Sequence, residues 1–211
     1  MTDQELFKET TGAEAIIKLV DWFGKPAVSK TRIQKTYRNI DLDRRLRFRR
    51  TKEESRLLHA AKLSGVHVPE VYFVDSESNE IVMELVNGTL LKDMEDARRE
   101  KTVYRNVGES AARLHLRSII HGDLTPKNII LSGETTFFID FGLSFISDRL
   151  EDKAEDLHLL KQSIRSSEKV ASRRFGDVLG GYENVYGKKE SLMITKQIAE
   201  IERRGRYARV D

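Results

Sequence analysis

Cysteine is absent from the 211-residue sequence, which excludes disulfides, zinc ribbons and thiol nucleophiles. The five histidines, at positions 59, 67, 115, 121 and 158, are scattered, and none has the spacing of paired metal ligands. This pattern argues against a histidine-based metal site. The sequence therefore points away from both zinc and thiol chemistry.

Long apolar runs are also missing. None approaches the ~20 residues that a membrane helix needs, and the first ten residues, MTDQELFKET, are too polar for a secretion signal. We therefore expect a soluble, cytoplasmic protein with no membrane association. The first predicted turn, at Gly12, has no G-x-G-x-x-G pattern, so a glycine-rich cover over nucleotide phosphates is absent or minimal.

The most informative stretch is residues 119–142, IIHGDLTPKNIILSGETTFFIDFG. Two short apolar runs, at 129–131 and 137–139, flank a turn that contains Gly133. Apolar runs separated by a short glycine-containing turn predict a β-hairpin.

Three oxygen-bearing side chains sit at the open end of this hairpin. Asp123 and Asn128 precede its first strand, and Asp140 follows its second. Pairing of the strands therefore brings two carboxylates and one amide oxygen to the same edge. Such hard oxygen ligands suit Mg²⁺, which favours one or two carboxylates together with substrate phosphates.

The order of these residues resembles that of protein kinases, in which H-x-D-L-x-x-x-N is followed by D-F-G. Here the segments are HGDLTPKN and, after the hairpin, Asp140-Phe141-Gly142. Neither motif is specific alone, but together, with a hairpin between them, they predict a phosphoryl-transfer site.

Upstream, short apolar stretches at 15–17, 20–23 and 27–28 predict three antiparallel strands. Lys30, at the end of the third, stands where a kinase has the lysine that contacts the α- and β-phosphates. The alternative is a solvated charge. A helix predicted over 51–63 carries Glu54, which could pair with Lys30 as the kinase αC glutamate does, but the neighbouring Glu53 competes for this role.

Strands predicted at 68–74 and 80–86, followed by a helix over 89–99, have the order of a kinase hinge. Met83 would then line the adenine pocket, and the backbone from Glu84 to Val86 would face the base. Val28 is counted with these ATP-binding residues. An ordinary buried strand with methionine as core filler fits the same spacing.

Downstream, an amphipathic helix is predicted over 101–119. A further helix is predicted from Glu151 to about Ile164, and a last one over 188–204. The segment between Gly142 and the helix that opens at Glu151 is short and has no A-P-E. The platform on which kinases dock a peptide is therefore missing.

Positive charge is segregated. The net charge is only +3, yet residues 30–52 carry ten Lys or Arg against two Asp, and the chain ends in RRGRYARVD. The candidate RNA-contacting residues are Arg44, Arg45, Arg47, Arg203, Arg204, Arg206 and Arg209. A solvated helix face and a disordered tail are the alternatives for the two clusters.

Taken in order, AVSKTRIQKTYR, RTKEESRLL, GVHVPEVYFVD, HGDLTPKN, IDFGLS, EDKAEDL and the terminal RGR resemble the small atypical kinase of the KEOPS complex. The resemblance covers nearly the whole chain. It implies ATPase activity beside the threonylcarbamoyl transferase that modifies tRNA, with ATP and Mg²⁺ as cofactors and the transferase, other KEOPS subunits and tRNA as partners.

The resemblance also implies a role for each matching residue. Lys30 and Glu54 match the phosphate-gripping ion pair, Asp123 the catalytic Asp, and Asn128 and Asp140 the metal ligands. Two further residues, His121 and Asp156, match positions that support the catalytic loop. Thr125 stands where many protein kinases have a lysine beside the γ-phosphate, and Lys127 is displaced from that position.

The implied fold is α+β: a minimal two-lobed protein-kinase-like fold, with residues 1–86 as the N-lobe and 87–211 as a reduced helical C-lobe with a basic tail. Two other functions stay open at this point. One is a nucleotide-switched scaffold for RNA and partners, and the other is a small-molecule phosphotransferase, against which the short chain after residue 152 argues.

Overall fold

The computed structural model describes residues 9–12, 14–94, 100–164 and 168–207. The chain forms two compact units. Unit 1 comprises Met1–Ala60 and Pro69–Val86, and unit 2 comprises Ala61–Val68 and Asn87–Asp211.

Unit 1 is built on an antiparallel sheet. Its strands are β1 (Glu9–Thr11), β2 (Ala15–Trp22), β3 (Lys25–Arg32), β4 (Val71–Asp75) and β5 (Glu80–Glu84), in the spatial order β1-β2-β3-β5-β4. The two strands predicted over 15–17 and 20–23 are one continuous strand, because Lys18 is an exposed position within β2 and does not break it. The turn to β3 lies at Phe23 and Gly24, both with positive φ.

Helix α1 (Ile40–Leu63) belongs to the same unit as far as Ala60, and it is longer than predicted. It begins at Ile40 because the side-chain oxygen of Asn39 accepts hydrogen bonds from the N–H groups of Asp41 and Leu42, as a helix N-cap does. The predicted stop is present: Gly65 has a φ of +82°, a value that L side chains rarely adopt.

Unit 2 combines helices with two small sheets. The helices are α2 (Glu100–Leu116), α3 (Leu150–Ser163), α4 (Glu168–Tyr186) and α5 (Lys188–Tyr207). The strands are β6 (Thr89–Leu90), β7 (Ile119–Ile120), β8 (Ile129–Ser132), β9 (Thr135–Phe138) and β10 (Phe145–Ile146), arranged as β6-β8-β9 and β10-β7. Two 3₁₀ turns cover Leu91–Asp93 and Pro126–Asn128.

The hairpin prediction is confirmed, with Ile129 opposite Phe138 and Ser132 opposite Thr135. The helix predicted over 89–99 is wrong where it can be compared, since residues 89–93 form a strand and a 3₁₀ turn, and 95–99 lie outside the described residues. The next helix was also drawn too long: α2 ends at Leu116, and Ile119 belongs to β7.

Helix α4 was not predicted, although its apolar residues have helical spacing. Phe175, Val178 and Tyr182 are buried, Val178 and Tyr182 completely. Close packing between α4 and α2 depends on glycine: a Cβ at Gly108 would collide with the carbonyl of Val178, and a Cβ at Gly181 with the carbonyl of Arg105. The two backbones therefore touch without intervening side chains.

Membrane insertion finds no support in the helices. Within the ranges described above, none of them is long and apolar enough to cross a bilayer.

We expect Gly181→Ala to destabilise the protein by about 1–3 kcal/mol, because the added methyl group meets backbone that cannot move aside. Gly176→Ala, in the same helix with open space at its Cβ position, is the matched control and should stabilise by about 0.5–1 kcal/mol. Thermal unfolding of both variants decides the point, and equal shifts would contradict the backbone-contact account.

Candidate active site

The predicted catalytic loop lies in unit 2, between β7 and β8, and begins with His121 and Gly122. Gly122 has a φ of +78°, and a Cβ there would collide with the carbonyl oxygen of Leu143. The glycine of the H-G-D motif is therefore required by both the backbone conformation and the close approach of the chain after β9.

Asp156, on α3, supports this loop. Its carboxylate is 3 % exposed and accepts the backbone N–H of His121 at 2.7 Å and that of Gly122 at 2.8 Å. His115 Nε2 lies 3.3 Å from the same carboxylate. Burial alone would raise the pKa of Asp156, but the hydrogen bond and charge of His115, with smaller contributions from His121, hold that pKa below its ordinary value.

His121 ties the loop to the segment that follows β9. Its Nε2 lies 3.2 Å from the carbonyl oxygen of Ile139, and its Nδ1 accepts the backbone N–H of Asp123 at 3.3 Å. Only the neutral tautomer with the proton on Nε2 makes both bonds. Complete burial lowers the pKa of His121, against the pull of nearby carboxylates led by Asp156, so the neutral form is favoured.

Asn128 fixes the predicted catalytic residue. Its amide nitrogen donates to both the carbonyl oxygen and Oδ2 of Asp123, each at 2.9 Å. Both hydrogen atoms of the amide are thereby used, and its oxygen is the atom that remains for a ligand. The backbone N–H of Ile139 donates to the Asn128 carbonyl at 3.0 Å, so the two ends of the hairpin are joined.

Asp140 follows directly and has a φ of +62°, a strained conformation for an aspartate. Its Oδ1 accepts the backbone N–H of Gly142 at 3.3 Å. Within the described residues, no group of three or more His, Asp or Glu could hold a metal ion. The oxygens of Asn128 and Asp140 are nevertheless the ligand type that Mg²⁺ takes when phosphates complete its coordination.

Lys127 is a site residue that the sequence left unassigned. Its ammonium nitrogen lies 3.1 Å from Oδ2 of Asp123, which precedes it by four residues. Although Lys127 is displaced by two residues from the usual kinase lysine position, it therefore still reaches the Asp123 carboxylate.

In unit 1, Lys30 and Glu54 are in contact, with Lys30 Nζ 2.5 Å from Glu54 Oε1. Both are buried, at 7 % and 2 % exposure. The competing Glu53 instead pairs with Arg56 on the surface. The structure thus assigns the contact to Glu54, while its role toward nucleotide stays a prediction.

Arg32 is a third member of this cluster that the sequence interpretation missed. Its guanidinium lies 2.5 Å from Glu54 Oε2, and the residue is 6 % exposed. The available signal was strand periodicity: Lys30 and Arg32 are two residues apart on β3 and share one face of the sheet. Arg32 was instead counted with the surface cations.

The predicted adenine-binding residues lie on adjacent strands. Val28 on β3 is the register partner of Met83 on β5, and Met83 is buried. The N–H of Glu84 donates to the carbonyl of Glu70 at 2.8 Å, so this donor is engaged inside unit 1. Val86 follows β5 and is the last residue of unit 1, and its role toward a base stays a prediction.

The basic residues separate into two kinds. Arg38 and Arg47 both pair with the buried Asp43, and Arg50 pairs with Glu14. Arg44, Arg45 and Arg49 are exposed on α1 and have no ion pair with any residue that the structure describes. We call these three the α1 arginine face.

The predicted basic tail is in part a helix, since α5 extends to Tyr207. Arg203 pairs with Glu200, and Arg204 pairs with Glu151 on α3. The side chain of Arg206 and the whole of Arg209 lie outside the described residues.

Beside the catalytic loop, unit 2 contains a cavity of about 600 Å³. Asp123, Thr125 and Lys127 line one part of it, and Tyr104 and Arg174 line another. The Asp123 carboxylate therefore borders a cavity that is lined by residues of unit 2 alone.

The family model described as the RIO domain matches residues 24–177. "KEOPS complex subunit Bud32" of Pyrococcus abyssi is 41% identical, and the match covers 93% of this chain and 94% of that one. "Probable serine/threonine-protein kinase BUD32 homolog" of Archaeoglobus fulgidus is also 41% identical, with the same coverage.

A longer relative is the "probable bifunctional tRNA threonylcarbamoyladenosine biosynthesis protein" of Methanobrevibacter smithii, 45% identical over 93% of this chain. This chain spans 36% of the length of that protein, and the same share of its Methanothermobacter thermautotrophicus counterpart.

Among solved structures, the Rio2 kinase of Chaetomium thermophilum in its ADP/Mg²⁺-phosphoaspartate complex has a TM-score of 0.64 at 18% identity, covering 95% of this chain and 70% of that one. A type VIII aminoglycoside-3'-phosphotransferase has a TM-score of 0.60 at 16% identity, covering 92% and 93%. At these identities the likeness is one of fold, and it confirms the predicted α+β protein-kinase-like fold.

We expect Glu54→Gln to destabilise the protein by about 3–5 kcal/mol, because it removes the charge of the buried carboxylate that Lys30 and Arg32 share. Glu53→Gln is the matched control, since it removes only an exposed pair worth at most about 1 kcal/mol. Urea unfolding of both variants measures the difference, and similar losses would rule out a buried charge cluster.

Proposed function

The chain belongs to the Bud32 family of RIO-domain proteins, which are atypical kinases in fold, and we propose that it transfers the γ-phosphoryl group of ATP to water or to a protein hydroxyl. One observation carries this proposal. The Asn128 amide nitrogen donates hydrogen bonds to both the backbone carbonyl oxygen and the carboxylate of Asp123. A general base held in this way has a fixed position relative to its metal-binding neighbour.

Each site residue then has a role. Asp123 accepts the proton of the attacking hydroxyl, and Asn128 and Asp140 hold Mg²⁺ through their oxygens. Lys30 contacts the phosphates of ATP, and Glu54 fixes its direction. When bound, Mg²⁺ neutralises charge on the phosphates, while these side chains bind, orient and accept the proton.

Asp156 and His121 position the loop and do not take part in the chemistry themselves. Asp156 holds two consecutive N–H groups of the loop, and His121 joins the loop to the segment of Asp140. Both therefore set where Asp123 and Asp140 lie without touching the substrate.

We further propose that this activity serves tRNA threonylcarbamoyladenosine formation, beside the threonylcarbamoyl transferase and the other KEOPS subunits. The names of the relatives support this, because one is a KEOPS subunit and the longer ones are assigned to that biosynthesis. Phosphate release measured with and without tRNA and the transferase tests whether turnover depends on these partners.

The α1 arginine face is the surface that we propose for tRNA. Its three guanidinium groups, of Arg44, Arg45 and Arg49, are not engaged by carboxylates of the described residues, so they can neutralise phosphates without breaking internal pairs. Phe48, 44 % exposed, lies among them and offers a ring on which a base can stack. Arg47, by contrast, is engaged with Asp43.

We expect Asp140→Ala to abolish Mg²⁺-dependent ATP turnover, because the metal loses its carboxylate. Asp123→Ala should lower turnover by about 10²–10⁴-fold, the usual contribution of general-base catalysis, and leave nucleotide binding intact. Asp177→Asn, on α4 of the same unit, is the control and should behave as wild type. Wild-type turnover by Asp123→Ala would remove the catalytic assignment.

For tRNA, the triple replacement of Arg44, Arg45 and Arg49 by glutamine should weaken binding and flatten its salt dependence. The slope of log K against log salt is negative, and its magnitude should decrease by roughly 0.7–0.9 for each phosphate that the variant no longer neutralises. A triple glutamine variant of the exposed Arg56, Arg117 and Arg149 changes the net charge equally and is the control. If both triples weaken binding alike, general charge and not this face binds the tRNA.

A further inference from the structure

We infer that Lys127 is a catalytic residue whose ammonium group stabilises the phosphoryl group during its transfer. The inference rests on the proposed phosphoryl transfer at Asp123. Lys127 would then supply the charge that many kinases take from a lysine two residues after the catalytic aspartate, where this chain has Thr125.

The backbone at Lys127 is held by buried neighbours, whereas its side chain is exposed. It lies in the 3₁₀ turn Pro126–Asn128, whose two outer residues are buried, and the preceding Thr125 is buried in an extended conformation. The side chain of Lys127 is 59 % exposed. Among residues 125–128, Lys127 is therefore the residue whose side chain can extend from the surface to contact a substrate.

Thr125 cannot supply the missing charge. It is 6 % exposed, and its hydroxyl oxygen is buried without a hydrogen-bond partner among the residues that the structure describes. A neutral, buried hydroxyl does not neutralise a phosphoryl group. The position two residues after Asp123 therefore carries no charge, and the cation of this stretch is Lys127, two residues later.

The contact with Asp123 places the ammonium group where the chemistry occurs. Lys127 Nζ is 3.1 Å from Asp123 Oδ2, which the Asn128 amide also contacts at 2.9 Å. Both Lys127 and Asp123 line the cavity of unit 2. The exposed lysine side chain therefore borders the same space as the Asp123 carboxylate.

The distances needed for proton abstraction and for attack on phosphorus place the phosphoryl group within reach of Lys127. A base lies about 2.6–3.2 Å from the oxygen that it deprotonates, and that oxygen attacks phosphorus from about 3–3.5 Å. The equatorial oxygens are then a few ångströms from the Asp123 carboxylate. A lysine already touching that carboxylate reaches them through rotation of its own side chain.

In the step itself, the hydroxyl or water oxygen forms a bond to the γ-phosphorus and gives its proton to Asp123. The bond between the γ-phosphorus and the oxygen bridging to the β-phosphorus breaks, and ADP leaves with the electron pair. Charge spreads over the three equatorial oxygens in the transition state. Lys127 stabilises that charge, so it acts on the rate more than on nucleotide affinity.

The test is a set of variants assayed for steady-state ATP turnover and, separately, for ADP affinity and thermal stability. Lys127→Met should lower kcat by about 10²-fold, the usual cost of losing one electrostatic contact to the transition state. KM, ADP affinity and Tm should stay close to wild type. Lys127→Arg should restore most of the turnover, because it keeps the charge.

Arg56→Met is the control, since it removes a similar exposed pair, with Glu53, away from the site. A Lys127→Met enzyme with wild-type kcat would overturn the inference, and so would a loss that Lys127→Arg fails to restore. Turnover that needs Asp123 but not Lys127 contradicts the inference alone. A wild-type protein without Mg²⁺-dependent turnover contradicts the proposed function, and the inference fails with it.

Discussion

The loop that carries Asp123 depends on one buried carboxylate, that of Asp156. It accepts two consecutive backbone N–H groups from His121 and Gly122, and His115 supplies a third contact. A buried charge is tolerated only when such donors compensate it. His115 is held in turn by the hydroxyl of Tyr182 on α4, at 2.9 Å. The helix that packs on glycines against α2 therefore also fixes the geometry of the loop that carries Asp123.

A second carboxylate organises unit 1 in the same way. Glu54 is nearly fully buried and is shared by Lys30 and Arg32, one cation on each oxygen. Because Arg32 occupies Oε2, Lys30 is confined to Oε1, and its ammonium group is not free to turn around the glutamate. Lys30, which would contact the phosphates, is thus oriented through Glu54 by Arg32, which does not need to contact them. Supporting contacts of this kind fix the position of a functional group.

Local sequence patterns predicted the features that depend on local sequence. The hairpin of residues 129–138, the stop at Gly65 and the positions of Asp123 and Asn128 follow from turns and short spacings. Helix α4 contains three glycines, which disfavour an isolated helix, and its packing against α2 compensates for them. The roles of Arg32 and Lys127 could not be predicted in full, since they depend on side-chain contacts that only the folded backbone sets.

The cation that we propose at Lys127 does not need one fixed sequence position, because phosphoryl transfer requires charge at a point in space and not a particular residue. A lysine has a long flexible side chain, so a displacement of two residues within a tight 3₁₀ turn still leaves its ammonium group 3.1 Å from Asp123. The oxygens proposed to bind the metal and to accept the proton belong to short side chains, which have no such freedom. Asp123, Asn128 and Asp140 therefore keep the kinase spacing in this chain, while the lysine does not.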